Sequence, residues 1–183
     1  LDDNPQDALT PIPGLTDAEK EFWQNVFWAA ICYFDNTSMP EPAERATQTI
    51  ARLDNAIRNL QPLAQLSLEH LALCRHISGF GVFEPFEKNE FSPGQKVLLY
   101  VEVKNFTSRP SQLGRQRTLL KSTITIQQDS PDGKIMKLIH VAPTEDLCRS
   151  TRRDYFQNYD FAIPRTLPLG RYSLTLTITD LLS

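Results

Sequence analysis

Residues 167–180, LPLGRYSLTLTITD, alternate along almost their whole length. Tyr172, Leu174, Leu176 and Ile178 fall on one face of an extended chain, and Ser173, Thr175, Thr177 and Thr179 on the other. Side chains in a strand repeat every two residues, so this stretch is a strand with one face in a core and one in water. Pro168 and Gly170 supply the turn that launches it. The rest of the chain has to provide the core that this face enters.

From about His70 the chain carries Gly and Pro punctuation, more β-branched residues and a period of two. Strands are expected at Leu71–Phe83, with a bulge or bend at Ser78–Gly81, and at Lys96–Phe106, where Val97, Leu99, Val101 and Val103 share the inner face. Further strands are expected at Thr118–Gln128, Lys134–Val141 and Tyr155–Ile163, with a turn at Asp129–Gly133. Short strands joined by turns, with no helix between them, point to an antiparallel sandwich.

The first third reads differently. Residues 1–15 hold three prolines and little periodicity, and read as an extended arm or linker. Thr16 and Glu19 form a capping-box pattern that opens a helix to about Phe34. Trp23 and Trp28 lie on its apolar surface and are expected in the core. Residues 35–42 turn the chain. A second helix spans about Pro42–Leu60, with an apolar stripe of Ala46, Ile50, Leu53, Ile57 and Leu60 that predicts the seam of an antiparallel helical hairpin. Residues 16–69 are therefore the hairpin and a connector, and 70–183 the sandwich. The first helix is so apolar that the hairpin is expected to pack on the sandwich as one compact unit.

With 183 residues the chain can bury a core, and 40% apolar with 22% charged residues is a globular composition. A net charge of -3 argues against a main role in neutralising nucleic-acid phosphates. No apolar run approaches the roughly 18 residues of a membrane span. Three cysteines, Cys32, Cys74 and Cys148, make no disulfide framework and no CxxC; buried thiols are favoured, with a Cys74–Cys148 bridge left open.

Residues 91–105, FSPGQKVLLYVEVKN, resemble an early strand of bacterial immunoglobulin-like and macroglobulin-like domains. Residues 167–180 are similar to their late strand, a P-x-G-x-Tyr turn followed by alternation to an acidic residue. The resemblance covers about 70–183 and implies an architecture, not an activity. Such domains have about seven strands. A closing strand is expected after Leu181–Ser183, or its place is taken by the N-terminal arm or a partner chain, and an open edge near Tyr172–Thr179 would pair with another protein.

Catalytic and nucleotide-binding motifs are absent from the sequence. His70 and His76, six apart, share a face in a regular strand but lack further ligands at a metal-binding spacing, so no metal site and no cofactor is expected. The densest cluster of recognition residues is Arg149, Arg152, Arg153, Tyr155 and Tyr159, which combines planar guanidinium forks with amphipathic rings and predicts a binding surface. The resulting expectation is an α+β protein, an N-terminal helical hairpin packed on a C-terminal antiparallel immunoglobulin-like β-sandwich. It would serve as a non-catalytic interaction or structural module of a larger bacterial assembly, not as an enzyme. The alternative is a carbohydrate-binding or carbohydrate-processing accessory domain, with Tyr100, Tyr155, Tyr159 and Tyr172 as its aromatics. A protein partner is expected and nucleic acid is not; an envelope or secreted location is favoured over the cytoplasm.

Overall fold

The computed structural model describes residues 14–112, 114–130, 132–150, 152 and 154–183. The arm expected at the N-terminus falls, over 1–13, outside the described residues. The protein is α+β, with N-terminal helices and C-terminal antiparallel sheets. The described residues divide into two compact units, with the boundary between Ala64 and Gln65.

In the first unit, α1 (Asp17–Phe34) and α2 (Pro42–Leu60) form a hairpin, followed by a single 3-10 turn at Gln61–Leu63. The capping box at the start of α1 is present: Thr16 Oγ1 accepts from Glu19 N at 3.3 Å, and the Glu19 carboxylate accepts from Thr16 N at 2.8 Å. Thr16, first through its hydroxyl and then through its backbone N–H, donates to the Glu19 carboxylate and holds it below its ordinary pKa. The turn between the helices is built by Asp35, whose Oδ1 accepts from Thr37 N and Ser38 N, and by Arg45, which donates to the carbonyls of Met39 and Pro40. The seam is not the expected aliphatic stripe. Small residues fill it: Ala29 and Cys32 of α1 and Ala56 of α2 are buried, and Thr49 Oγ1 donates to Ala29 O at 3.4 Å. Ile50, Leu53 and Ile57 lie on the exposed side. Small side chains allow two helices to approach closely, and larger ones are displaced to the flanks. Trp23, expected in the core, is 41% exposed and stacks on Phe27, while Trp28 is half-buried with the Arg52 guanidinium 6.0 Å from its ring centre.

Among its described residues the second unit holds nine strands: β1 (Ser67–Gly79), β2 (Val82–Pro85), β3 (Lys96–Lys104), β4 (Arg109–Pro110), β5 (Gln116–Gln128), β6 (Ile135–His140), β7 (Thr144–Cys148), β8 (Phe156–Ala162) and β9 (Tyr172–Asp180). One sheet has the order β2-β1-β3-β8. The other is organised by β5, which pairs with β4 and β9 along one side and with β6 and β7 along the other. The break expected at Ser78–Gly81 is a hairpin turn, not a bend. Gly81 has φ +68, and β2 folds back on β1. A left-handed residue at the tip is what a tight hairpin requires.

Leu99, Val101 and Val103 of β3 face Leu120 and Ile124 of β5, Leu176 of β9, and Tyr155 and Tyr159 in one core between the sheets. The strand that dominates the sequence pattern is therefore in place: Leu176 is buried while its alternate neighbours Thr175 and Thr177 are exposed. Among the described residues β9 pairs with β5 alone. All three cysteines are free. An Ala56→Leu substitution adds bulk where the helices are closest. It should destabilise the hairpin by about 1–3 kcal/mol, measured as a lower urea midpoint of the helical circular-dichroism signal, whereas Ile50→Leu on the exposed flank should leave that midpoint within about 0.5 kcal/mol of the original.

Candidate ligand cleft and its surroundings

Of the residues expected to form one binding surface, the fold turns the two tyrosines inward and brings Arg152 against the Tyr155 ring. Tyr155 and Tyr159 are each 7% exposed and belong to the core. They share a face of the β8 segment with Gln157, and that face meets β5 across the sandwich. Ser122 Oγ lies 2.8 Å from Tyr159 Oη and 3.1 Å from Gln157 Oε1, and Tyr159 Oη also donates to Gln157 Oε1. Burial pushes the Tyr159 hydroxyl up to about 12. Arg149 is exposed. Arg153 lies outside the described residues. Arg152 grips Asp146 through two contacts, Nε to Oδ2 at 2.8 Å and Nη2 to Oδ1 at 3.2 Å, and its guanidinium is 5.9 Å from the Tyr155 ring centre. Cys148 joins this cluster by donating to Asp146 Oδ2 at 3.0 Å, a bond that favours its thiol form and raises its pKa. The cluster ties β7 to the segment before β8.

A concave site lies elsewhere, at one end of the second unit. There the sheets part around a cleft of about 870 Å³. Its floor is made by two cross-strand pairs: Leu73 with Leu99 in one sheet, and Ile126 with Leu174 in the other. Phe86 and Phe91, edge to face at 5.0 Å, form a wall contributed by the chain between β2 and β3. That chain is pinned by Phe86 N donating to Leu73 O and Gly94 N to Ile163 O. The connection between β8 and β9 forms another wall, braced by Tyr172 Oη donating to Pro168 O at 2.7 Å. Asn89, Glu90, Asp129 and Arg171 give the lining its polar groups. Leu174 and Tyr172, expected to pack inward, do line an interior space, but only partly filled.

The face of the first sheet opposite the core carries a different cluster. Glu69 is paired with Glu102 in the ladder, and a bulge between Glu69 and Ala72 interrupts the alternation. His70 sits in that bulge with φ 52, a conformation in which His is several-fold enriched among non-glycine residues. Glu69, His70 and Glu102 bring their ligand atoms within 4.8 Å of one another. The bulge breaks the parity that linked His70 to His76, and a second irregularity lies between Cys74 and His76. Neither glutamate was singled out in the sequence, although Glu102 is the one carboxylate in the apolar run VLLYVEV, and that is the signal that could have found it.

No family model and no curated protein matches the chain. A solved structure of the Pseudomonas fluorescens alkylpurine DNA glycosylase AlkC, bound to DNA containing an abasic site analog, overlaps 90% of this chain and 43% of its own, at 12% identity and a TM-score of 0.35. That neighbour is an enzyme on DNA. The expectations of a non-catalytic interaction or structural module, of no enzyme, and of a protein partner with no nucleic acid are corrected on this finding and withdrawn. The carbohydrate alternative goes with them, because Tyr100, Tyr155 and Tyr159 are buried and form no exposed row. A likeness of this extent assigns neither that enzyme's activity nor its DNA to the present chain. Among the described residues, no helix is long and apolar enough to cross a membrane.

Tyr159 sets a pH dependence. Its folded pKa is about 12 against an ordinary 10.0, so between these values the folded protein holds a proton that the unfolded chain has released. Its contribution is fully present below about pH 10 and is lost as the pH rises towards 12. Urea midpoints measured from pH 9 to 12 should fall with rising pH, and Tyr159→Phe should make that fall shallower; an equal slope in the variant would assign it to other groups.

Proposed function

We propose that the C-terminal unit is an immunoglobulin-like sandwich that binds a small molecule with an apolar body and a hydrogen-bonding end in its inter-sheet cleft. One observation carries this reading: the cleft joins an apolar floor, Leu73, Leu99, Ile126 and Leu174, to a lining that includes Asn89, Glu90, Asp129 and Arg171. Its volume of about 870 Å³ falls within the roughly 300–1,000 Å³ of small-ligand sites. Apolar side chains facing a wet space lose both burial and dispersion partners, and an apolar ligand body restores both. The polar groups then orient its other end. Two antiparallel sheets over one core support the immunoglobulin-like description of the scaffold.

The probe is 8-anilinonaphthalene-1-sulfonate, which has an aromatic body and one polar end. It should bind the full chain saturably with enhanced fluorescence. Leu174→Trp fills the floor of the cleft and should weaken binding at least tenfold while thermal unfolding stays cooperative. Ile50→Lys, on the exposed flank of α2, should leave the affinity unchanged. Absence of saturable binding, or binding lost on Ile50→Lys and kept on Leu174→Trp, overturns the reading.

A further inference from the structure

Strand β3 carries a buried carboxylate on the face away from the core. Glu102 is 6% exposed. Its Oε1 accepts from Tyr100 Oη at 2.9 Å, and Tyr100 Oη in turn accepts from Gly81 N at 2.7 Å. Its Oε2 has His70 Nε2 at 4.0 Å, beyond hydrogen-bond length. A buried carboxylate costs free energy unless a cation or donors compensate it, and here Tyr100 compensates one oxygen while the other faces the His70 imidazole at 4.0 Å. Glu69 has the same division of labour. Lys104 Nζ holds its Oε2 at 2.6 Å, and Oε1 has no partner among the described residues. Each carboxylate is thus oriented by a neighbour through one oxygen, the arrangement that positions metal ligands.

We infer that Glu69, His70 and Glu102 bind a divalent first-row transition ion, of which zinc is the type. One imidazole and two carboxylates suit such an ion, whereas magnesium and calcium prefer oxygen alone. Ligand bonds of about 2.1 Å place neighbouring donor atoms of a tetrahedral ion about 3.4 Å apart, so the 4.0 Å between His70 and Glu102, and separations of up to 4.8 Å across the cluster, close by inward side-chain movements of at most about 1.4 Å. Two carboxylates against one lysine leave the cluster negative. The side chains of His70 and Glu69 are 61% and 41% exposed, which gives the ion a way in and leaves its remaining positions to water. The bulge makes the site: in a regular strand Glu69 and His70 would point to opposite faces. The site is on the opposite face of the sheet from the cleft and stands independently of it.

The test uses the full chain, freed of metal with a chelator and returned to chelator-free buffer. Titration with zinc chloride should show one ion per chain, and cobalt(II) should give visible absorption bands of a four- or five-coordinate ion. His70→Asn keeps a residue that tolerates the bulge, and Glu102→Gln keeps an acceptor for Tyr100. Each should weaken zinc binding tenfold or more, while His76→Ala and Cys148→Ser leave it unchanged. If Glu102→Gln fails to fold, His70→Asn, at an exposed position, and Glu69→Gln, at a half-buried one, carry the same expectation. Lack of stoichiometric binding overturns the proposal. So does binding that survives His70→Asn and Glu69→Gln, or that is lost with His76→Ala or Cys148→Ser.

Discussion

Strand β3 has to satisfy two environments at once, and the second unit is arranged around that requirement. One of its faces, Val97, Leu99, Val101 and Val103, enters the core between the sheets. The other carries Tyr100 and Glu102, which are as buried as their apolar neighbours. Polar groups removed from water must find partners, and these find each other. Tyr100 is stacked between Phe83, at 4.2 Å, and Phe156, at 5.4 Å, from strands on either side. Burial raises its pKa, so it stays a neutral donor to Glu102. The same hydroxyl holds the turn of the β1–β2 hairpin through Gly81 N. One side chain therefore links the hairpin tip, the aromatic stack and the carboxylate.

The cleft follows from how the core ends. Around Val101, Val103, Leu120 and Ile124 the sheets are filled from both sides, with Tyr155 and Tyr159 closing the volume. At the other end, the connections at 86–95 and 163–171 are anchored to strand ends by backbone bonds and stand as walls rather than filling the space. Leu99 serves both regions, as a core residue and as part of the cleft floor. Filling the cleft therefore acts on the same strand that the Tyr100–Glu102 pair secures from the opposite side.

Local features were legible in the sequence and register-dependent ones were not. The capping box at Thr16 and Glu19 and the alternation of β9 rest on neighbours a few residues apart, and both are found as read. The aliphatic stripe of α2 was visible, but its partner was not, because Ala29, Cys32 and Ala56 set the seam by their small size. Tyr155 and Tyr159 were misassigned to a surface by the arginines beside them. Alternation alone puts both on one face with Gln157, and the opposite sheet makes that face the inner one. The bulge at His70 depends on pairing with a strand some thirty residues away, which no window around His70 contains. Glu69 and Glu102 could not be associated without it.

The polar group in the core bears on which alignment the sheets adopt. Leucine, isoleucine and valine pack almost equally well when two faces slide past each other, so an aliphatic core specifies volume better than position. Ser122 on β5 and Gln157 and Tyr159 on β8 belong to different sheets, yet their polar atoms meet within hydrogen-bond distance. A slip of β5 by one residue would present Lys121 or Thr123 instead and would leave buried hydroxyls unpaired, at about 1–3 kcal/mol for each group. A core that keeps three buried polar atoms paired between its sheets is selecting one alignment of them, and the cleft at the end of the sandwich inherits its shape from that alignment.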